Sequence, residues 1–81
     1  MAEQVRKTIT ELRADYNKYR KNLHKAFIHT KSGEEYQVLA ITWSEQTNEP
    51  LYMYCYSSMT WLKFSRPCEE FLQKFHERGS I

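Results

Sequence analysis

In the stretch LYMYCYS, Tyr52, Tyr54 and Tyr56 recur at every second position and alternate with Leu51, Met53 and Cys55. At strand spacing this puts three phenol rings on one face of a sheet and the aliphatic and sulfur side chains on the other. Flat rings in a row can stack a nucleobase, and Trp61 and Arg66 add a further ring and a fixed cation for a phosphate. His29, between Ile28 and Thr30 on an expected strand, joins these candidates for ligand or partner binding, although a histidine so placed ordinarily serves as a hydrogen-bonded structural residue. The ladder also suits a structural role, as the face on which an apolar helix lies. That role is the favoured one, because a helix with an apolar stripe must cover something.

Other chemistry finds little support. A nucleophilic Ser or Cys needs a histidine and an orienting acid, and no local signature of such a trio is present. Cys55 lies beside Leu51 and Met53 and Cys68 falls on a helical apolar stripe, so both thiols should be buried and inert. Glu34 with Glu35 and Glu69 with Glu70 are sequence neighbours that point to different faces, which does not make an acid and base couple. Gly33 and Gly79 are the only glycines, so no loop is built to cradle a phosphate. The chain is not expected to be an enzyme or to carry a cofactor. Nor is a metal expected, since the two cysteines are thirteen positions apart and His24, His29 and His76 do not flank them at finger-like spacing. Two cysteines without a second pair, and an opening segment without signal-peptide character, suggest free thiols in a reducing, cytoplasmic protein. No apolar run approaches the roughly 20 residues of a membrane span.

The elements that would position these residues follow from periodicity. At 81 residues the chain is one domain, 1–81, and 15% aromatic residues supply large buried areas for a small core. Val5, Ile9, Leu12, Tyr16, Tyr19 and Leu23 are spaced four, three, four, three and four apart, with no Gly or Pro before Gly33. This predicts an amphipathic helix from about Glu3 to Leu23 or His24, on the order of 30 Å long. AFIHT, KSGEE and YQVLAITW then read as a hairpin with Gly33 at the bend. Strict alternation in its second strand would set Tyr36, Val38 and Ala40 against Leu39, Ile41 and Trp43, leaving both faces apolar. SEQTNEP is a loop, LYMYCYS a strand and TWLKF a fourth strand. SRPCEEFLQKFHERGS closes the chain as a helix, with Cys68, Phe71, Leu72 and Phe75 as its core stripe and Gly79 as its stop. The expectation is therefore an α+β fold: a helix over 1–24, a small four-stranded bent antiparallel sheet over 25–64 forming an SH3-like partial barrel, and a closing helix over 65–79.

Charge is unevenly spread. Up to Lys25 seven basic residues face three acidic ones, giving +4, and the remainder has five against seven, giving −2. Arg13, Lys18, Arg20 and Lys21 could therefore contact nucleic acid as an alternative function, although cations are also favoured near a helix C-terminus simply as a solvated face. The helix is longer than a small sheet can cover. Val5, Ile9, Leu12 and Tyr16 are accordingly the expected interface of a homo-oligomer, with Tyr16 shared between that interface and, alongside Tyr19 and Leu23, the helix's own sheet.

His29, Lys31, Gly33, Tyr36, Val38 and Leu39, followed by Tyr54, Arg66, Pro67 and Phe71, form a further pattern: a strand ending in His, a Lys and Gly turn, a Tyr-x-Val-Leu strand, a tyrosine-rich strand, and Arg-Pro before a Phe-containing helix. From about Phe27 to Phe75 the chain thereby resembles a small bacterial and phage family, the domain of unknown function numbered sixteen fifty-three. Phe64 stands where that family has tryptophan, and the opening helix lies outside the match. The resemblance implies a compact β-rich fold and a bacterial or phage origin, and it names no activity. A phage-type protein without catalytic groups would work by binding, either inhibiting a host protein or sequestering a nucleotide signal.

Overall fold

The computed structural model describes residues 7–79. Thr8 begins the first helix. Its hydroxyl accepts a hydrogen bond from the Glu11 amide, and the Glu11 carboxylate accepts one from the Thr8 amide, closing a capping box. Helix α1 therefore runs Ile9–Tyr19, and a 3-10 turn at Arg20–Asn22 and a left-handed His24, φ 65°, end it. This corrects the long amphipathic rod expected from Glu3 to Leu23 or His24. Of its stripe within the helix only Tyr19 is buried, because the helix meets the body at its C-terminal end alone. There the Tyr19 ring stands edge-on to Tyr52 at 5.9 Å, while Tyr16 lies 6.5 Å from Trp43. Val5 lies outside the described residues.

Strands β1 (Ala26–His29), β2 (Glu35–Trp43), β3 (Pro50–Tyr56) and β4 (Met59–Pro67) form an antiparallel meander. Helix α2 (Cys68–Lys74) then crosses from the β4 edge to the opposite one, where β5 (Phe75–Glu77) pairs antiparallel with β1. The sheet order is β4-β3-β2-β1-β5. The expected four-stranded SH3-like partial barrel is thus a single five-stranded antiparallel sheet with helices against one face, and the closing helix stops at Lys74 rather than Gly79. The free edge of β1 supplies the reason. Its backbone groups need partners, and residues 75–77 satisfy them by leaving helical geometry, which overrides the helical spacing of Phe75 and leaves Leu72 exposed.

A second departure sits inside β2. Register slips between Val38 and Ala40, so Leu39 is an extra residue with no partner on β3. Before the bulge Tyr36 pairs with Tyr56 and Val38 with Tyr54, and after it Ile41 pairs with Tyr52 and Trp43 with Pro50. The bulge therefore places Tyr36, Val38, Ile41 and Trp43 on one face, where strict alternation would have divided them. The tyrosines of β3, Phe27 and His29 of β1, and Phe64 and Arg66 of β4 share that face.

Phe71 fills its centre, fully buried, edge-on to Phe27, Tyr52 and Tyr54 and stacked on Phe75 at 4.1 Å. The sheet stays open, with β4 and β5 at its two edges, and one side chain reaches across. The Arg66 guanidinium of β4 lies 5.7 Å from the centroid of Phe75 of β5. Cys68 and Cys55 are both buried and free, Cys68 within the aromatic core and Cys55 on the far face, paired with Gln37 and Lys63. Burial pushes the Cys68 thiol up to about 12. Among the described residues no helix is long and apolar enough to cross a membrane.

Candidate functional site

The tyrosine ladder is divided between two environments. At the α1 end Tyr52 has no exposed surface; its hydroxyl donates to the Tyr19 carbonyl at 2.8 Å and accepts from Asn22 Nδ2 at 2.9 Å. Burial pushes this phenol up to about 12, against a smaller opposing effect of the Asn22 hydrogen bond. The next ring, Tyr54, is packed among Phe64, Phe71 and Phe75 with its hydroxyl accepting from Arg66 Nε at 3.2 Å. At the opposite end Tyr56 is only partly buried and stacks on Tyr36, with centroids 4.6 Å apart. Burial, followed by the Tyr56 hydroxyl, pushes the Tyr36 phenol well above its ordinary range.

Here the curved face opens into a cleft of about 310 Å³. Its walls are the rings of Tyr36, Tyr54, Tyr56, Phe64 and Phe75, and its polar groups are His29, Ser32, Glu34 and Arg66. The size falls at the lower end of the range for small-molecule sites. Arg66 is held in place by three contacts: Nε on Tyr54, Nη1 at 3.0 Å from Glu70, and the guanidinium plane near Phe75. The Tyr54 hydroxyl, with Glu70 adding to it, raises the Arg66 pKa further, so its charge is constant. His29 packs edge-on against Phe75 at 4.9 Å, and its Nδ1 accepts from the Ser32 amide at 3.2 Å with the Ser32 hydroxyl 2.9 Å away. A ring nitrogen that accepts an amide N–H carries no proton, so neutral His29 keeps its proton on Nε2, available as a donor.

Of the residues singled out from the sequence for ligand or partner binding, the fold gathers Tyr54, Tyr56, Arg66 and His29 into this cleft. Tyr52 is excluded, buried at the other end of the ladder. Trp61 is excluded for the opposite reason. It is 73% exposed in the irregular stretch of β4 between the pairs Cys55 with Lys63 and Tyr56 with Met59. Sequence reasoning missed Tyr36, Phe64 and Phe75 as walls and Asn22 as the partner of Tyr52. The pairing of Tyr36 with Tyr56 follows once the hairpin bend is placed at Gly33, φ 77°, whereas nothing local marks Phe75 as extended.

The other candidates are scattered. Lys18 pairs with Glu69 at 3.3 Å and Arg20 lies 5.9 Å from the Tyr16 ring, so of the four cations of the nucleic-acid alternative two are engaged by their own chain, and Arg13 and Lys21 stand exposed. Ile9 is 72% exposed, Tyr16 is exposed and Leu12 is half-buried. Among the described residues no three His, Cys, Asp or Glu side chains converge as metal ligands. Comparisons with protein families, with curated proteins and with solved structures find no match to this chain.

Proposed function

We propose that this chain is a non-enzymatic binding module that sequesters a nucleotide-type ligand in the aromatic cleft. One observation carries the reading: the fold brings open ring surface, at Tyr56 and Phe64, beside a fixed cation, Arg66, and a histidine N–H donor. A base is bound by stacking on aromatic faces, and a phosphate by charge-assisted hydrogen bonds to a guanidinium. Glu70 already takes one arm of Arg66, so the cleft suits a ligand of modest charge better than a triphosphate. The two free thiols fit a cytoplasmic setting, and exposed Ile9 and Tyr16 suit self-association through α1.

Calorimetry against a panel of cyclic and linear nucleotides tests the reading. Stacking is worth roughly 1–3 kcal/mol per base, so Tyr56→Ala should weaken binding about five-fold to a hundred-fold while the chain stays folded. Absence of heat with every nucleotide overturns it and leaves a protein partner as the object of binding.

A further inference from the structure

A second cavity of about 430 Å³ adjoins the cleft, lined by Glu34, Glu35, Tyr56, Ser57 and Ser58. Tyr56 and Glu34 line both cavities, so the two meet at one ring and one carboxylate. Tyr36 covers one side of the Tyr56 ring and does not border the second cavity, which places remaining Tyr56 surface there. Glu35 is engaged by Arg78 at 3.3 Å. The Glu34 carboxylate has no ion-pair or hydrogen-bond partner among the described residues. Ser57 also lines this cavity, with its hydroxyl itself buried and without a partner among the described residues.

We infer that the base stacked on Tyr56 turns its edge toward this second cavity and is one that presents two adjacent N–H donors, as guanine does, read by Glu34. The inference rests on the nucleotide reading of the cleft above. An ionised carboxylate only accepts, through two oxygens side by side. Guanine offers N1–H and the 2-amino group next to each other, the neutral counterpart of the two parallel N–H groups by which arginine grips a carboxylate. Adenine and cytosine each pair an amino donor with a bare ring nitrogen, whose lone pair faces the second carboxylate oxygen and repels it. The base then lies on Tyr56, its edge meets Glu34, and its phosphate extends back toward Arg66 and His29. Specificity and anchorage thus occupy opposite ends of one groove.

Calorimetry with guanosine, inosine and adenosine 5′-monophosphates, on the unmodified chain and on Glu34→Gln, decides the matter. Guanosine monophosphate should bind about ten-fold to a hundred-fold more tightly than adenosine monophosphate, with the inosine compound, which keeps N1–H and lacks the amino group, between them. Glu34→Gln should reverse that preference, weakening guanosine monophosphate and strengthening adenosine monophosphate, whose amino group and bare ring nitrogen match the oxygen and N–H of the amide. Equal binding of the guanine and adenine compounds, or a preference that survives Glu34→Gln, overturns the assignment of Glu34 while the cleft reading stands. Binding of none of the three overturns the guanine assignment, and absence of heat across the whole nucleotide panel overturns the cleft reading as well.

Discussion

Tyr52 and Tyr56 sit on the same face of the same strand, and their surroundings differ in kind. Around Tyr52 the chain folds back from both directions: α1 through Tyr19 and Asn22, α2 through Phe71. Around Tyr56 the aromatic neighbours among the described residues are Tyr36 and Phe64, and the ring borders two cavities. The difference teaches that an aromatic ladder carries no function in its residue types. The end that both helices reach becomes core, with every hydroxyl partner supplied by the chain. The end beyond their reach keeps open ring surface, and there recognition becomes possible.

The sharpest way to break this comparison is to truncate each ring. Tyr52→Ala should cost about 3–5 kcal/mol of stability, as a large ring lost from a filled core does, whereas Tyr56→Ala, at a partly open edge, should cost about 1 kcal/mol. Tyr52→Phe should itself cost about 1–3 kcal/mol, because the Asn22 amide and the Tyr19 carbonyl each lose a buried partner. Denaturant unfolding measures all three. Equal costs for Tyr52→Ala and Tyr56→Ala would erase the distinction between the two ends.

Alkaline pH sharpens the same contrast. Tyr19, Tyr36 and Tyr52 have phenols raised in the fold, chiefly by burial. A raised folded pKa means that the fold favours the neutral phenol. This stabilisation is complete below the ordinary value near 10 and is lost as pH rises through the folded values, about 12 for Tyr52. Stability against denaturant should therefore hold up to about pH 10 and fall progressively above it. Tyr52→Phe, which removes one of the three phenols, should fall less steeply. A fall no shallower in Tyr52→Phe would show that Tyr52 is not among the groups responsible.

The smallest effect on the fold is expected at the far end of α1. Ile9 is 72% exposed, so Ile9→Asp should change stability by no more than about 0.5 kcal/mol. Paired with Leu12→Asp it should nevertheless convert a symmetric assembly into a smaller, folded species by light scattering. An unmodified chain that scatters as a monomer at high concentration would leave α1 as a surface helix and nothing more.

Legibility followed the range of the physical cause. The Gly33 bend, the alternation of Tyr52, Tyr54 and Tyr56 and the helical spacing that puts Cys68 and Phe71 on one face depend on neighbours a few positions away, and the sequence alone determined them. The start of α1 was equally local, written in Thr8 and Glu11 as a capping box, although the longer apolar spacing from Val5 onward pointed elsewhere. Three features were decided by tertiary structure. The bulge at Leu39 regroups the apolar residues of β2 because both halves of that strand must face the same aromatic core. Phe75–Glu77 become a strand because the open edge of β1 offers backbone partners that a continued helix would leave unmet. The cleft exists because the sheet curves until Arg66 on one edge reaches Phe75 on the other, a distance set by how the whole sheet bends around Phe71 and by no spacing along the chain.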